Sequence, residues 1–71
     1  MGEKIIVTID DRVAEVILNN PAKMNCMGFQ MLYELHEAVT QISADETVSV
    51  VVFKGAGERA FSSGADLKEF Q

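Results

Sequence analysis

Two short runs of apolar, largely β-branched residues open the chain, and a short polar link separates them. The runs cover residues 5–9 and 13–18. β-Branched residues favour extended backbone, and two such runs joined by a short link favour a hairpin. In the second run Ala14, Val16 and Leu18 share one face. The pattern therefore predicts a β-hairpin.

Between about residues 28 and 43 the period changes to that of a helix. Apolar positions recur there at spacings of three and four, which is the repeat of one helical face. These positions are Leu32, Leu35, Val39 and Ile42, widened by Met31 and Ala38. Polar residues, including His36, fall largely on the other side. The segment therefore predicts an amphipathic helix with one buried face.

Residues 48–53 are almost continuously apolar, as in strands that are buried on both faces. Strand, helix and strand in this order imply a parallel pair joined by a right-handed crossover. One helix covers only one face of such a sheet, so the other face needs a partner from a longer domain or from another copy of the chain. A loop over 55–64 follows, and residues 65–70 predict the start of a second helix. We therefore expect one α/β unit of ββαβ order over residues 1–71, ending within that helix.

Composition narrows the class of protein. The net charge is -5 and the basic residues are scattered, so we expect no nucleic-acid or anionic-lipid partner. Cys26 and His36 alone are too few ligands for a structural zinc site, and a single cysteine forms no internal disulfide. No apolar run approaches the roughly 20 residues that span a bilayer, and the first residues lack a signal-peptide core. We therefore expect a cytoplasmic protein without a metal site.

Residues 55–60 match G-x-G-x-x-A, a form of the dinucleotide-binding fingerprint, directly after a predicted strand. The four residues that follow should interrupt the helix that this motif requires, and the strand is the third in the chain rather than the first. A nucleotide-binding module therefore remains an alternative, as does a folding or interaction unit without catalysis.

Residues 60–69 read A-F-S-S-G-A-D-L-K-E. Small residues let another molecule approach the backbone closely, and Ser62 and Ser63 are natural helix caps. Amide groups at the start of a helix could then receive a purine edge or a developing negative charge. An ordinary glycine-containing loop that caps a helix would have the same composition. Both interpretations fit these residues.

The same ten residues resemble the A-F-[CSA]-[AS]-G-[AG]-D-[LI]-K-E signature of the crotonase, or enoyl-CoA hydratase/isomerase, family. Residues 18–25 are similar to the family pattern L-N-R-P-x-x-x-N, and residues 50–55 to V-V-[VIL]-[TLF]-x-G, at matching spacings. The resemblance covers essentially the whole chain, which corresponds to the first part of a family domain. It implies that the ββαβ unit is the start of a crotonase-like (ClpP/crotonase) fold.

The resemblance implies an acyl-CoA substrate whose thioester enolate is stabilised by two backbone N–H donors, the first of them at Ala65. The residues that it implies for CoA binding are Lys23, Met24, Ala65, Asp66, Leu67 and Lys68. CoA would enter as part of the substrate, so no tightly bound cofactor is implied. The second donor and the acid/base carboxylates belong to later segments of the family domain. The 71-residue chain is therefore expected to be inactive alone, and the full-length protein to be a trimer or hexamer.

The remaining residues of this region have plainer interpretations. Lys23 could pair with a CoA phosphate or be an exposed loop lysine. Asn25 could be a site residue, but we interpret it as a cap of the following helix. Cys26 departs from the family pattern and has no neighbouring base, so we interpret it as a small buried hydrophobe rather than a nucleophile. Asp66 is interpreted as favourable charge at a helix amino terminus.

Overall fold

The computed structural model describes residues 3–71, so the first two residues of the predicted unit lie outside it. The elements are β1 (Ile5–Asp10), β2 (Val13–Leu18), a 3₁₀ turn (Pro21–Lys23), α1 (Phe29–Ser43) and β3 (Val50–Gly55). β1 pairs with β2 antiparallel and β2 with β3 in parallel, giving the sheet order β1-β2-β3. The predicted ββαβ order is confirmed. Within the described residues, no helix is long and apolar enough to cross a membrane.

The hairpin between β1 and β2 turns through Asp11 and Arg12. Both residues have positive φ angles, 50° and 68°, as a two-residue turn of the primed type requires. This turn sets the register that pairs Ile5 with Leu18. The predicted inner face of β2 is confirmed, because its three apolar side chains are almost fully buried. They are Ala14, Val16 and Leu18.

Helix α1 packs on the sheet through a stripe that differs in part from the predicted one. Its buried residues are Met31, Ala38 and Ile42, and Leu35 packs against them. Leu32 and Val39 stay 39% and 42% exposed, so their assignment to the buried face was wrong. The Glu34 carboxylate, on the same side of the helix as Met31 and Ala38, accepts hydrogen bonds from the Lys4 and Ile5 amides and so ties that side to the start of β1.

Strand β3 begins two residues later than predicted and extends to Gly55. The strand starts later because a turn at Asp45 precedes it. The Asp45 carbonyl accepts the Val48 amide (3.2 Å), and the Asp45 carboxylate accepts the Thr47 amide (2.9 Å). The apolar side chains of β3 are 37–51% exposed, on both faces of the sheet. Within residues 3–71 the expected cover for this strand is therefore missing.

The predicted helix over residues 65–70 is wrong. Ala65 forms an isolated parallel bridge with Met27, and residues 67–70 form a single turn. The Asp66 amide is already bound to the Met27 carbonyl (2.9 Å), so the backbone is held extended at the point where a helix would begin. Asp66 accordingly closes the turn instead of charging a helix terminus, since its carboxylate accepts the Lys68 amide at 3.1 Å.

Candidate functional site

An extended segment, residues 62–66, runs alongside residues 24–27 and carries the predicted donor. Three backbone hydrogen bonds join the two segments. They run from the Ser63 amide to Met24 O (2.9 Å), from the Met27 amide to Gly64 O (2.7 Å) and from the Asp66 amide to Met27 O (2.9 Å). This pattern is that of a short parallel ladder.

The ladder fixes the direction of the Ala65 amide. Gly64 C=O and Ala65 N–H belong to one planar, trans peptide unit, in which the two groups point in opposite directions. Because Gly64 O faces Met27, the Ala65 N–H faces away from it. The amides of Ser63, Gly64 and Asp66 all have acceptors, whereas that of Ala65 has none within residues 3–71. Ala65 is also exposed, so a directed donor remains available.

Ala65 lines an open groove of about 420 Å³. This volume lies within the range of roughly 300–1,000 Å³ that is usual for small-molecule sites. Five of the six residues predicted for CoA binding line it, and Met24 lies outside it. The lining residues are Lys23, Cys26, Ser63, Ala65, Asp66, Leu67 and Lys68. The groove thus combines two lysine side chains, a free backbone donor and the largely exposed Leu67 (75%).

Asn25 does not cap α1, so that interpretation was wrong. The helix begins after Gly28, which supplies no side-chain cap. Asn25 instead takes a left-handed conformation (φ 57°) and is 1% exposed. Its Oδ1 accepts the Asn20 amide (2.8 Å), and its Nδ2 donates to Ala56 O and Ala60 O, both at 3.0 Å. The side chain therefore joins the loop after β2 to the loop after β3.

Ser62 bonds to the same region rather than capping a helix. Its hydroxyl donates to Asn25 O at 2.8 Å and accepts the Gly64 amide at 3.0 Å. Gly64 has a φ of 101°, in the region that favours glycine. The turn of the chain into Ala65 therefore depends on a glycine and on a serine hydroxyl.

Glu69 supplies the missing cap of α1 from the far end of the chain. Its carboxylate accepts the Phe29 amide at 2.8 Å, where a negative charge suits the helix amino terminus. The Phe70 ring packs edge-on against Phe29, with centroids 4.5 Å apart. A Cβ on Gly28 would collide with the Glu69 carboxylate. These contacts anchor the residues that follow Ala65 onto the helix.

Cys26 is half-buried rather than buried, and it lies among polar groups. Its Sγ is 3.9 Å from Asp66 Oδ2 and 4.0 Å from Asn20 Nδ2. His36, the only histidine of the sequence, is exposed on α1 as predicted. Within the described residues, no cluster of three His, Cys, Asp or Glu side chains could hold a metal ion.

The G-x-G-x-x-A match lacks the helix that a dinucleotide site requires. Residues 56–59 form bends, and none of the helices described within residues 3–71 begins after them. Gly55 has a different reason to be glycine. A Cβ there would lie 2.5 Å from Phe61 O and 2.6 Å from Ala60 O, so the loop packs directly on the end of β3. Gly55, the first glycine of the motif, therefore allows the backbone of Ala60 and Phe61 to lie close to the end of β3.

Comparisons with known proteins indicate the family of the chain. The family model for enoyl-CoA hydratase/isomerase matches residues 13–71. Over 56 residues the chain is 52% identical to the Mycobacterium bovis protein named Probable enoyl-CoA hydratase echA12, covering 79% of this chain and 19% of that protein. Over 69 residues it is 32% identical to crotonyl-CoA hydratase of Syntrophomonas wolfei, covering 97% of this chain and 26% of that protein.

Solved structures agree on the fold. The crystal structure of enoyl-CoA hydratase from Bacillus anthracis matches with a TM-score of 0.88 at 39% identity, covering 93% of this chain and 26% of that one. The predicted crotonase-like fold is thereby confirmed. The chain spans about a fifth to a quarter of the length of these relatives. It belongs to the enoyl-CoA hydratase/isomerase family.

Proposed function

We propose that this chain is the acyl-CoA-binding amino-terminal part of an enoyl-CoA hydratase/isomerase family enzyme, and that its Ala65 amide donates to the thioester oxygen. One observation carries the proposal: the Ala65 N–H is the only amide between Ser63 and Asp66 without an acceptor within residues 3–71. Ala65 also lines the groove that is lined by Lys23, Asp66, Leu67 and Lys68.

The proposed chemistry is the stabilisation of negative charge that develops on the thioester oxygen as an enolate forms. A donor that is already oriented stabilises this charge without reorganising during the reaction, and removal of one such donor typically costs about a hundredfold to a thousandfold in rate. The ladder to residues 24–27 holds the peptide unit of Ala65 before any ligand arrives. A second donor and the acid/base groups would come from elsewhere in the whole protein, whose activity is part of this proposal.

The rest of the groove suits the CoA moiety. The ammonium groups of Lys23 and Lys68 would meet phosphates as point charges, and backbone groups at residues 65–67 would meet the adenine. Met24 is 38% exposed outside this groove, so its contact with pantetheine rests on the family resemblance alone. A trimer or hexamer of the whole protein and a cytoplasmic location stay predictions.

Amide NMR of the 71-residue chain tests the donor with a matched pair of ligands. Butyryl-CoA and the thioether S-butyl-CoA differ only in the carbonyl oxygen. We expect butyryl-CoA to bind about fivefold more tightly, which is the gain of one ordinary hydrogen bond, and to move the Ala65 resonance downfield. NAD should leave residues 65–67 unchanged. Equal affinities for the two CoA ligands, with no shift at Ala65, would refute the proposal.

A chemically synthesised chain makes the same test at a single atom. Replacing residue 65 with L-lactic acid keeps the methyl group and removes the N–H, and we expect the preference for butyryl-CoA to disappear. The ester also weakens Gly64 O as an acceptor for the Met27 amide. The matched control is therefore the α-hydroxy acid analogue at residue 27, which loses that same bond but keeps the Ala65 donor. The control keeps the donor but loses one of the bonds that orient it, so it should keep part of the preference, whereas the residue-65 analogue should keep none.

A further inference from the structure

The Asn25 side chain uses both of its amide protons and its oxygen on backbone groups of two different loops. A buried amide with every bond made to backbone has geometry that few other side chains can copy. Aspartate has the same shape but cannot donate to Ala56 O and Ala60 O. Asn25 therefore determines how the loop after β3 lies against the loop after β2.

A chain of hydrogen bonds continues from Asn25 to the residue before the proposed donor. Asn25 O accepts the Ser62 hydroxyl, and the same hydroxyl oxygen accepts the Gly64 amide. A Cβ on Gly64 would meet nothing within 4 Å, so side-chain packing does not hold this residue. Two hydrogen bonds hold Gly64, one at its amide and one at the carbonyl oxygen of the peptide unit that it shares with Ala65.

We infer that Asn25 is a positioning residue, acting through Ser62, for the Ala65 donor; this inference rests on the proposed function. Sites of this kind require their groups to be held within about 0.5 Å of the productive geometry. The Asn25 side-chain bonds hold residue 25, whose backbone carbonyl in turn accepts the Ser62 hydroxyl. When residue 25 shifts or the Ser62 hydroxyl is removed, the glycine can rotate and the Ala65 N–H loses its fixed direction. Asn25 and Ser62 touch no substrate in this scheme.

The test compares Asn25→Asp and Ser62→Ala with the unsubstituted chain, using the ratio of dissociation constants for S-butyl-CoA and butyryl-CoA. We expect both variants to lose the roughly fivefold preference for the thioester. Binding of S-butyl-CoA should stay within about twofold, because the thioether makes no bond to the donor. The downfield shift of the Ala65 amide should shrink in step. Loss of stability alone would change both affinities together.

Glu34→Ala is the matched control, since it breaks two side-chain bonds to the backbone of Lys4 and Ile5, neither of which involves residues 24–27 or 62–66, and should leave the ratio unchanged. If Asn25→Asp does not fold, Ser62→Ala decides alone, because it removes only the hydroxyl through which Asn25 is inferred to act. A ratio preserved in the variants would overturn the role of Asn25 while leaving the proposed function intact. A ratio of one in the unsubstituted chain would instead overturn the proposed function itself.

Discussion

Replacement of Gly55 by alanine tests the close contact between the end of β3 and the backbone of Ala60 and Phe61. The new Cβ would lie 2.5 Å from Phe61 O, 2.6 Å from Ala60 O and 2.7 Å from Phe61 Cα. All three atoms belong to backbone, so no side chain can rotate away to relieve the overlap. An ordinary contact begins at 3.4 Å, and the loop would therefore have to retreat from the end of β3 by roughly 0.9 Å.

The retreat adds a second loss to the overlap. Ala60 O accepts Asn25 Nδ2 at 3.0 Å, and a movement of that size would stretch this bond beyond hydrogen-bonding distance. Overpacking typically costs about 1–3 kcal/mol, and a lost hydrogen bond about 1 kcal/mol more. We expect Gly55→Ala to lower the free energy of unfolding by about 2–4 kcal/mol, a large share for a chain of 71 residues.

Urea denaturation followed by circular dichroism measures this loss, and the sign of the change is the informative part. Gly55 has no positive φ, so alanine would otherwise stabilise the chain by about 0.4–1 kcal/mol through the unfolded state. Gly64→Ala is the matched control: it meets open space but has a φ of 101°, so it isolates the backbone cost, of order 1–3 kcal/mol. A Gly55→Ala variant as stable as the unsubstituted chain would refute the close approach.

Three further outcomes follow from the contacts described. Burial opposes ionisation of Glu34, but hydrogen bonds from the Gln30 side chain and from the Ile5 and Lys4 amides outweigh it and lower its pKa. The free energy of unfolding should therefore fall as the pH drops below the unfolded pKa near 4.5 and through the lower folded pKa. Glu34→Gln should flatten that part of the plot of urea midpoint against pH. Glu69→Gln removes a charge from the α1 terminus and should cost about 0.5–1 kcal/mol in low salt. The cost should vanish at high salt, and a loss of stability that persists there would contradict a charge effect. The 71-residue chain should hydrate no crotonyl-CoA, and measurable turnover would contradict the proposal that the acid/base groups come from elsewhere in the whole protein.

The order and type of the main elements were predictable because they follow from local spacing. A two-residue alternation in β2 and a three- and four-residue repeat in α1 are properties of the sequence itself. The rotation of α1 was not predictable in this way. Glu34 accepts hydrogen bonds from amides that lie 29 and 30 positions away in the sequence, and the spacing of apolar residues in the helix does not indicate these bonds. The apolar spacing alone did not distinguish Leu32 and Val39, which are exposed, from the buried positions.

The contacts that build the site are also remote in sequence. Asn25 reaches residues 31 and 35 positions away, and Glu69 reaches Phe29 across 40 positions. One signal could have indicated the second contact. Helix α1 begins with glycine as its cap and has no acidic residue in its first turn, which leaves its terminal amides to be satisfied from elsewhere. The CoA-binding candidates were selected from the sequence only through the family resemblance, and five of them line one groove in the structure.

When the hydrogen-bond donor is a main-chain N–H, its direction depends on residues other than the one that carries it. Every amino acid except proline carries a backbone N–H, so the side chain at position 65 contributes only its small size. The direction of that N–H depends instead on Met27 at Gly64 O, on Ser62 at the Gly64 amide, and on Asn25 behind Ser62. Substitutions at these supporting positions should therefore impair thioester recognition more than Ala65→Gly, which keeps the donor and adds room around it.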